Sequence, residues 1–134
     1  MTDAHELRLV LGRLVRRLRA EAILPLNQTT VLARLERDGE LSTSALADRE
    51  RMRPQSMAQT VKDLESAGLV SRHGDPSDAR RMLVSLTTAG RKALGADRER
   101  REDWLSRAIE TELTAREQET LARSVELLRR LAGE

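Results

Sequence analysis

The side chains with the clearest chemical potential lie between Arg53 and Gly68. If that segment is helical, Gln55, Ser56, Gln59, Thr60 and Lys62 gather on one polar face. Amides and hydroxyls can donate to and accept from base edges, and a lysine can meet a phosphate. No Asp or Glu enters the segment before Asp63, whereas an ordinary solvated helix face mixes Glu and Lys. A polar surface helix with no further role is the plain alternative. The segment carries both of its ends. Pro54 suits the first helical position, where its missing N–H costs nothing. Gly68 suits the residue just past the end, where a left-handed backbone is needed. Met57, Val61 and Leu64, spaced by four and three, supply the opposite, apolar face.

Other chemistry is scarce. His5 and His73 are far apart in the chain, and there is no Cys. Thiolate metal sites, disulfides and thiol redox sensing by this chain are therefore excluded. A lone His73 reads as a strand-end surface residue. No Gly-rich phosphate loop or paired metal-ligand motif appears, so neither an enzyme nor a cofactor is expected. The formal charge is +2, from 24 basic and 22 acidic residues, so net charge does not announce nucleic acid. All the basic residues except Lys62 and Lys92 are Arg, the side chain suited to bidentate phosphate and guanine contacts. No apolar run approaches the ~20 residues of a membrane span. The N-terminus carries Asp3 and Glu6 and lacks a secretory layout, so a soluble cytoplasmic protein is the default expectation.

Several elements must position the Arg53–Gly68 segment. Residues 3–20 read as an amphipathic helix opened by Asp3 and Glu6 in a capping-box spacing. Its stripe is Leu7, Val10 or Leu11, Leu14 and Leu18, with five arginines largely outside it. Those arginines read either as a functional patch or as a solvated face. Pro25 ends this region, and Asn27 is the expected cap of a second helix over 28–38, with Val31, Leu32 and Leu35 inward. Asp38-Gly39 is a turn. Ser42, Thr43 and Ser44 offer caps for a short helix to about Glu50, anchored by Leu46. A connector over 51–53 leads to Pro54, and two short helices so closely joined make a helix-turn-helix. Residues 69–73 and 82–86 are short and rich in branched residues, with a turn-forming segment between them. They predict a hairpin, here a wing. Thr87 or Thr88 can cap a helix over 88–112 whose middle, residues 97–103, is almost wholly charged. Thr114 and Glu117 form a capping box for a last helix to about Leu131.

The terminal helices carry apolar stripes that so small a winged domain cannot cover. Packing against a second copy buries them most simply; an intramolecular three-helix cluster in a monomer is the alternative.

At this point the chain resembles a MarR-type winged helix-turn-helix transcriptional regulator over nearly its whole length. The resemblance is carried by residues 64–70 (LESAGLV), 75–81 (DPSDARR) and 83–90 (LVSLTTAG). It implies a mainly α fold with a small β-hairpin. The whole chain, 1–134, would be one domain, with a winged helix-turn-helix region at 22–90 and a helical dimerisation region formed by 1–21 and 91–134. It also implies a homodimer on a palindromic double-stranded DNA operator, a repressor by default. Arg53, Pro54, Gln55, Ser56, Gln59, Thr60, Lys62, Asp78, Arg80 and Arg81 become the expected DNA-binding residues. Gln55, Ser56, Gln59 and Thr60 would meet base edges or nearby phosphates, and Arg53, Lys62 and Arg81 phosphates. The family's Asp-x-Arg element is matched by Asp78 and Arg80, the Arg entering the minor groove and the Asp holding its guanidinium. A small, often aromatic or phenolic, effector between the dimer helices and the winged domain is implied too. The sequence assigns no residue to that pocket; Arg17, Leu18 and Trp104 are guesses. The lack of Cys removes the family's peroxide-sensing branch. Two departures stand out: Arg53 replaces the frequent Ser or Thr cap, and Arg51 replaces a Gly common in the connecting turn. A winged-helix module that binds protein and not DNA is the competing reading.

Overall fold

In the computed structural model, residues 3–134 are described; Met1 and Thr2, the start of the expected dimerisation region, lie outside them. The element order is α1 (Ala4–Arg19), α2 (Leu26–Asp38), β1 (Leu41–Ser42), α3 (Thr43–Arg49), α4 (Pro54–Ser66), β2 (Val70–Asp75), β3 (Asp78–Leu86), α5 (Thr88–Glu112) and α6 (Ala115–Leu131). The chain divides into two compact units, one over Ala22–Glu99 and one comprising the residues up to Glu21 and from Arg100 on.

The Ala22–Glu99 unit owns the core. The periodic residues of α2 (Val31, Leu32, Leu35) and of α4 (Met57, Val61, Leu64) are buried together with Leu46, Val84 and Leu94. Each is worth roughly 1.5–3 kcal/mol relative to exposure, so these nine side chains dominate the stability of the unit. The sheet has three antiparallel strands in the order β1-β3-β2, not the two expected. Leu41 pairs with Val84 and Ser42 with Leu83, which closes the sheet against the start of α3.

Four helix starts are closed by a nearby side chain. The Asp3 carboxylate accepts from His5 N at 2.8 Å, Ser42 Oγ from Ala45 N at 3.1 Å, and Thr87 Oγ1 from Gly90 N at 3.0 Å. Thr114 and Glu117 form the full reciprocal capping box. Helix α2 is not so closed. It begins at Leu26, with Pro25 at the cap position and no side-chain cap. Asn27, expected as that cap, sits inside the first turn and sends its amide elsewhere.

Helices α3 and α4 end alike. In each, the residue two past the cap donates to the carbonyl five residues back: Met52 N to Ala47 O and Leu69 N to Leu64 O, both 2.9 Å. The residue just before it is left-handed, Arg51 at φ 52° and Gly68 at φ 76°. Both are Schellman ends. Only one has the glycine that geometry favours.

The charged middle of α5 is not wholly solvated. Asp97 is completely buried, and its carboxylate accepts from the Ile23 and Leu24 amides at 2.7 and 3.1 Å. That satisfies two N–H groups where the chain turns into α2.

The other unit is different in kind. Helices α1 and α6 contain no buried residue. Val10, Leu11, Leu14, Val15, Leu121, Val125, Leu127 and Leu131 are all exposed. Arg17 lies 4.4 Å from the centroid of the Trp104 ring and bonds Glu21 at 2.8 Å. Two of the three guessed pocket residues therefore touch each other, a cation–π pair. Among the described residues, no helix is long and apolar enough to cross a membrane.

Candidate nucleic-acid interface

Helix α4 turns its polar face outward. Arg53, Pro54, Gln55, Ser56, Gln59 and Lys62 are all exposed. Thr60 is not. Although expected on this face, it is 3% exposed, because it falls between Met57 and Leu64 on the same three-and-four period. Its hydroxyl donates to Ser56 O at 3.1 Å and accepts from Asn27 Nδ2 at 3.0 Å. Thr60 thus ties α4 to the first turn of α2 and has no edge to offer a base. Arg53, the cap residue, makes no side-chain cap bond. The first amides of α4 are left without a side-chain acceptor, the consequence of losing Ser or Thr there.

The turn that delivers α4 is held by charge. Arg34 Nε meets Glu50 at 2.6 Å and its Nη1 meets Asp38 at 3.2 Å, while Arg49 meets the same Asp38 oxygen at 2.6 Å. Arg49 and then Arg34 hold the Asp38 carboxyl below its ordinary range, and Glu50 raises the Arg34 guanidinium. These four residues fasten the end of α3 to α2. Arg51 and Arg53 flank the junction, exposed.

The wing is longer and tighter than the sequence suggests. Its strands run up to a two-residue turn, Pro76-Ser77, which the Asp75 carboxylate closes by accepting from Ser77 N at 2.9 Å and Ser77 Oγ at 2.8 Å. Those bonds hold the Asp75 carboxyl below its ordinary range. The register then jumps: Gly74 pairs with Met82 but Asp75 with Asp78, so Ala79, Arg80 and Arg81 have no partner in β2. A bulge of this kind re-aims side chains. Arg80 emerges from it exposed. Contrary to the expectation that Asp78 holds the Arg80 guanidinium, its Oδ1 accepts from Arg80 N at 3.0 Å. The acid shapes the backbone that presents the Arg, which is a different route to the same placement.

Arg81 is exposed and also bonds back to the protein. Its Nη2 donates to Ser42 Oγ at 3.0 Å, the same hydroxyl that caps α3. The wing is thereby linked to the helix-turn-helix through β1, by one arm of a guanidinium expected to meet phosphate. On the sheet, Ser85 Oγ donates to Glu40 at 2.9 Å and lies 3.3 Å from His73 Nδ1, and His73 Nε2 is 3.1 Å from Glu40. The Ser85 hydroxyl, and next His73, hold Glu40 below its ordinary range. His73 is a sheet-edge contact, and no cluster fit to hold a metal occurs among the described residues.

Gly90 is demanded by the same assembly. A Cβ there would collide with the Leu69 carbonyl oxygen and lie 2.7 Å from Leu86 Cδ1. Thr87 Oγ1 donates to Gly68 O at 2.7 Å, so the start of α5 is pressed against the end of α4. The sequence shows the run that contains Gly90 but not this reason for it.

A helix-turn-helix with an arginine-tipped hairpin beside its second helix defines a winged helix-turn-helix protein. The comparisons with known proteins refine that class. Residues 24–82 match the MarR family. The chain is 34% identical to an HTH-type transcriptional regulator of Mycobacterium leprae, over 98% of this chain and 93% of that one. The fold is similar to that of a Pseudomonas aeruginosa PA01 protein described as a transcriptional regulator. The TM-score is 0.86 and the identity 41%, covering 96% of this chain and 92% of that one. It is also similar in fold to an S. aureus MepR variant bound to an oligodeoxyribonucleotide, with a TM-score of 0.74 and 22% identity, over 98% and 99% of the two chains. The chain belongs to the MarR family and is an HTH-type transcriptional regulator.

Proposed function

We propose that the protein binds double-stranded DNA sequence-specifically, as a homodimeric repressor on a palindromic operator, and releases it in response to a small effector. The exposed face of α4 carries the first part of the proposal. Gln55, Ser56 and Gln59 offer amide and hydroxyl groups that complement base edges, and Arg53 and Lys62 flank them with charge. Arg80, raised on the wing bulge, fits a narrow minor groove, where the negative potential is enhanced. Arg51 and Arg53, at the helix-turn-helix junction, suit the phosphates beside it.

The homodimer is supported by the coreless helices. A pair such as α1 and α6, with eight large apolar side chains exposed, gains most by covering them with the same surface of a second copy. Two-fold symmetry then sets two α4 helices about one DNA turn apart, roughly 34–36 Å. Release by an effector draws on the Arg17–Trp104 pair, which offers a cation and an aromatic face, the groups that would greet an aromatic acid.

Sedimentation at micromolar concentration together with gel-shift against the DNA upstream of the chain's own gene, at two salt concentrations, tests the reading. A dimer that shifts one fragment in preference to a scrambled one is expected. A stable monomer, or equal and weak binding to every fragment, would overturn it and favour a protein-binding module.

A further inference from the structure

We infer that Asp63 is a positioning residue that sets which base Gln59 reads, fitting it to adenine and closing it to guanine. The inference rests on the proposed role of α4 as the reading helix.

Both residues are exposed, one helical turn apart. Gln59 Nε2 donates to Asp63 Oδ1 at 2.8 Å. A carboxylate offers only acceptors, so the amide must turn its nitrogen, not its oxygen, toward Asp63. One of the two N–H groups is thereby used. What remains is one N–H and the carbonyl oxygen. In the major groove, adenine shows an acceptor at N7 and an amino donor at N6. One N–H and one carbonyl oxygen match that pair. Guanine shows two acceptors, N7 and O6. A glutamine free to rotate can turn its whole amino group to them. Gln59 held by Asp63 has a single N–H to offer, and its oxygen would face another acceptor.

The position of Asp63 is otherwise hard to understand. It is the first acid of α4, on a face that would meet a polyanion, and the one described partner of its carboxylate is Gln59. A glutamine–aspartate pair at this spacing also stabilises a helix weakly. That effect would alter melting slightly and leave base preference untouched, which separates the two roles.

The test begins with site selection by the full-length protein from a randomised double-stranded oligonucleotide library. Kd is then measured on the selected site with each base at each half-site position, for the parent, Gln59→Ala, Asp63→Ala and Asp63→Glu. Circular dichroism melts check that all four fold. At one position the parent should prefer adenine over guanine by roughly tenfold or more, the size of one good bidentate contact. Gln59→Ala should lose that preference. Asp63→Ala should bind DNA as tightly or more tightly, yet bring the adenine-to-guanine ratio close to one. Asp63→Glu, whose longer carboxylate still accepts the same N–H, should restore much of it. If Asp63→Ala keeps the parent's ratio while Gln59→Ala loses it, Gln59 reads its base unaided and the inference is overturned, with α4 still the reading helix. If Gln59→Ala discriminates as the parent does, Gln59 reads no base and the inference is overturned with it. If the library yields no preferred site, the DNA-binding reading itself is overturned.

Discussion

Arg51→Gly should make the protein more stable and a poorer DNA binder. The Schellman ends of α3 and α4 supply an internal comparison. At Gly68, φ 76°, the left-handed backbone carries no Cβ; at Arg51, φ 52°, it does. A left-handed L-residue costs roughly 1–2 kcal/mol through crowding of Cβ against the carbonyl oxygen. Replacement by glycine removes that term but gives the unfolded chain more freedom, which takes back roughly 0.5–1 kcal/mol. The net gain is about 0.5–1 kcal/mol, or a rise of about 2–4 °C in Tm for a chain of this size. The hydrogen bonds of the turn, Arg51 N to Asp48 O and Met52 N to Ala47 O, are backbone bonds and should survive. Calorimetry and urea denaturation at fixed protein concentration read the first effect. The second is read from the salt dependence of DNA binding. If Arg51 meets a phosphate, the log–log slope should become shallower by about one, with affinity lost on all sequences alike. The companion change, Gly68→Ala, should cost about 1 kcal/mol, because it brings the same strain to the other end. Loss of stability in Arg51→Gly would refute the reasoning. It would mean that the exposed guanidinium makes an interaction worth more than the strain.

Four further outcomes follow from the same structure. Gly90→Ala should destabilise by about 2 kcal/mol or more, since the added methyl meets a backbone oxygen that cannot step aside; a chemical melt within 0.5 kcal/mol of the parent would contradict that close approach. Val125→Glu replaces a side chain that is 45% exposed in the single chain, so a monomer should tolerate it; ultracentrifugation should instead show dissociation, and an unchanged sedimentation profile would argue against a second copy covering α6. Arg80→Ala should leave Tm unchanged and weaken operator binding severely, while Asp78→Ala should weaken it less and increase protease cleavage at the wing, because the acid holds the bulge and not the guanidinium. The Asp38, Glu40, Asp75 and Glu117 carboxyls all sit below their ordinary values of 3.8 for Asp and 4.5 for Glu. Their stabilisation is therefore present above those values and lost as pH falls through the lower, folded ones; a pH titration of Tm should drop below about pH 4, and Glu40→Gln should flatten part of that drop.

What the sequence disclosed depended on whether the cause lay nearby in the chain. The Thr114–Glu117 box, Ser42, Pro54 and Gly68 act within a turn of themselves, so α3, α4 and α6 could be read from their ends. Strand β1 could not. Leu41 and Ser42 are too few for a period, and they are a strand only because β3 lies beside them, about forty residues on. Asn27 was the right kind of residue for a cap, but its amide goes to Thr60. Thr60 itself was legible in principle. It stands three after Met57 and four before Leu64, and its hydroxyl disguised a core position. Asp97 hid among charges whose solvation is usual, while its partners lie 73 and 74 residues away. On the wing, the pairing of Asp78 with Arg80 was visible, but the atom that accepts was not, because the bulge that decides it is set by register.

The division of the chain also fixes an order of events during synthesis. The Ala22–Glu99 unit is one uninterrupted stretch and can close its core as soon as Leu94 is available. The other unit is built from both ends of the chain, so α1 leaves the ribosome first and finds its companions last. At about 5–20 residues per second, its stripe of Leu7, Val10, Leu11 and Leu14 waits for several seconds before α6 is made. Arg8, Arg13, Arg16, Arg17 and Arg19 ride on the same helix throughout that interval. Like charges so dense repel one another, which disfavours association between uncovered α1 stripes for as long as the protein is unfinished.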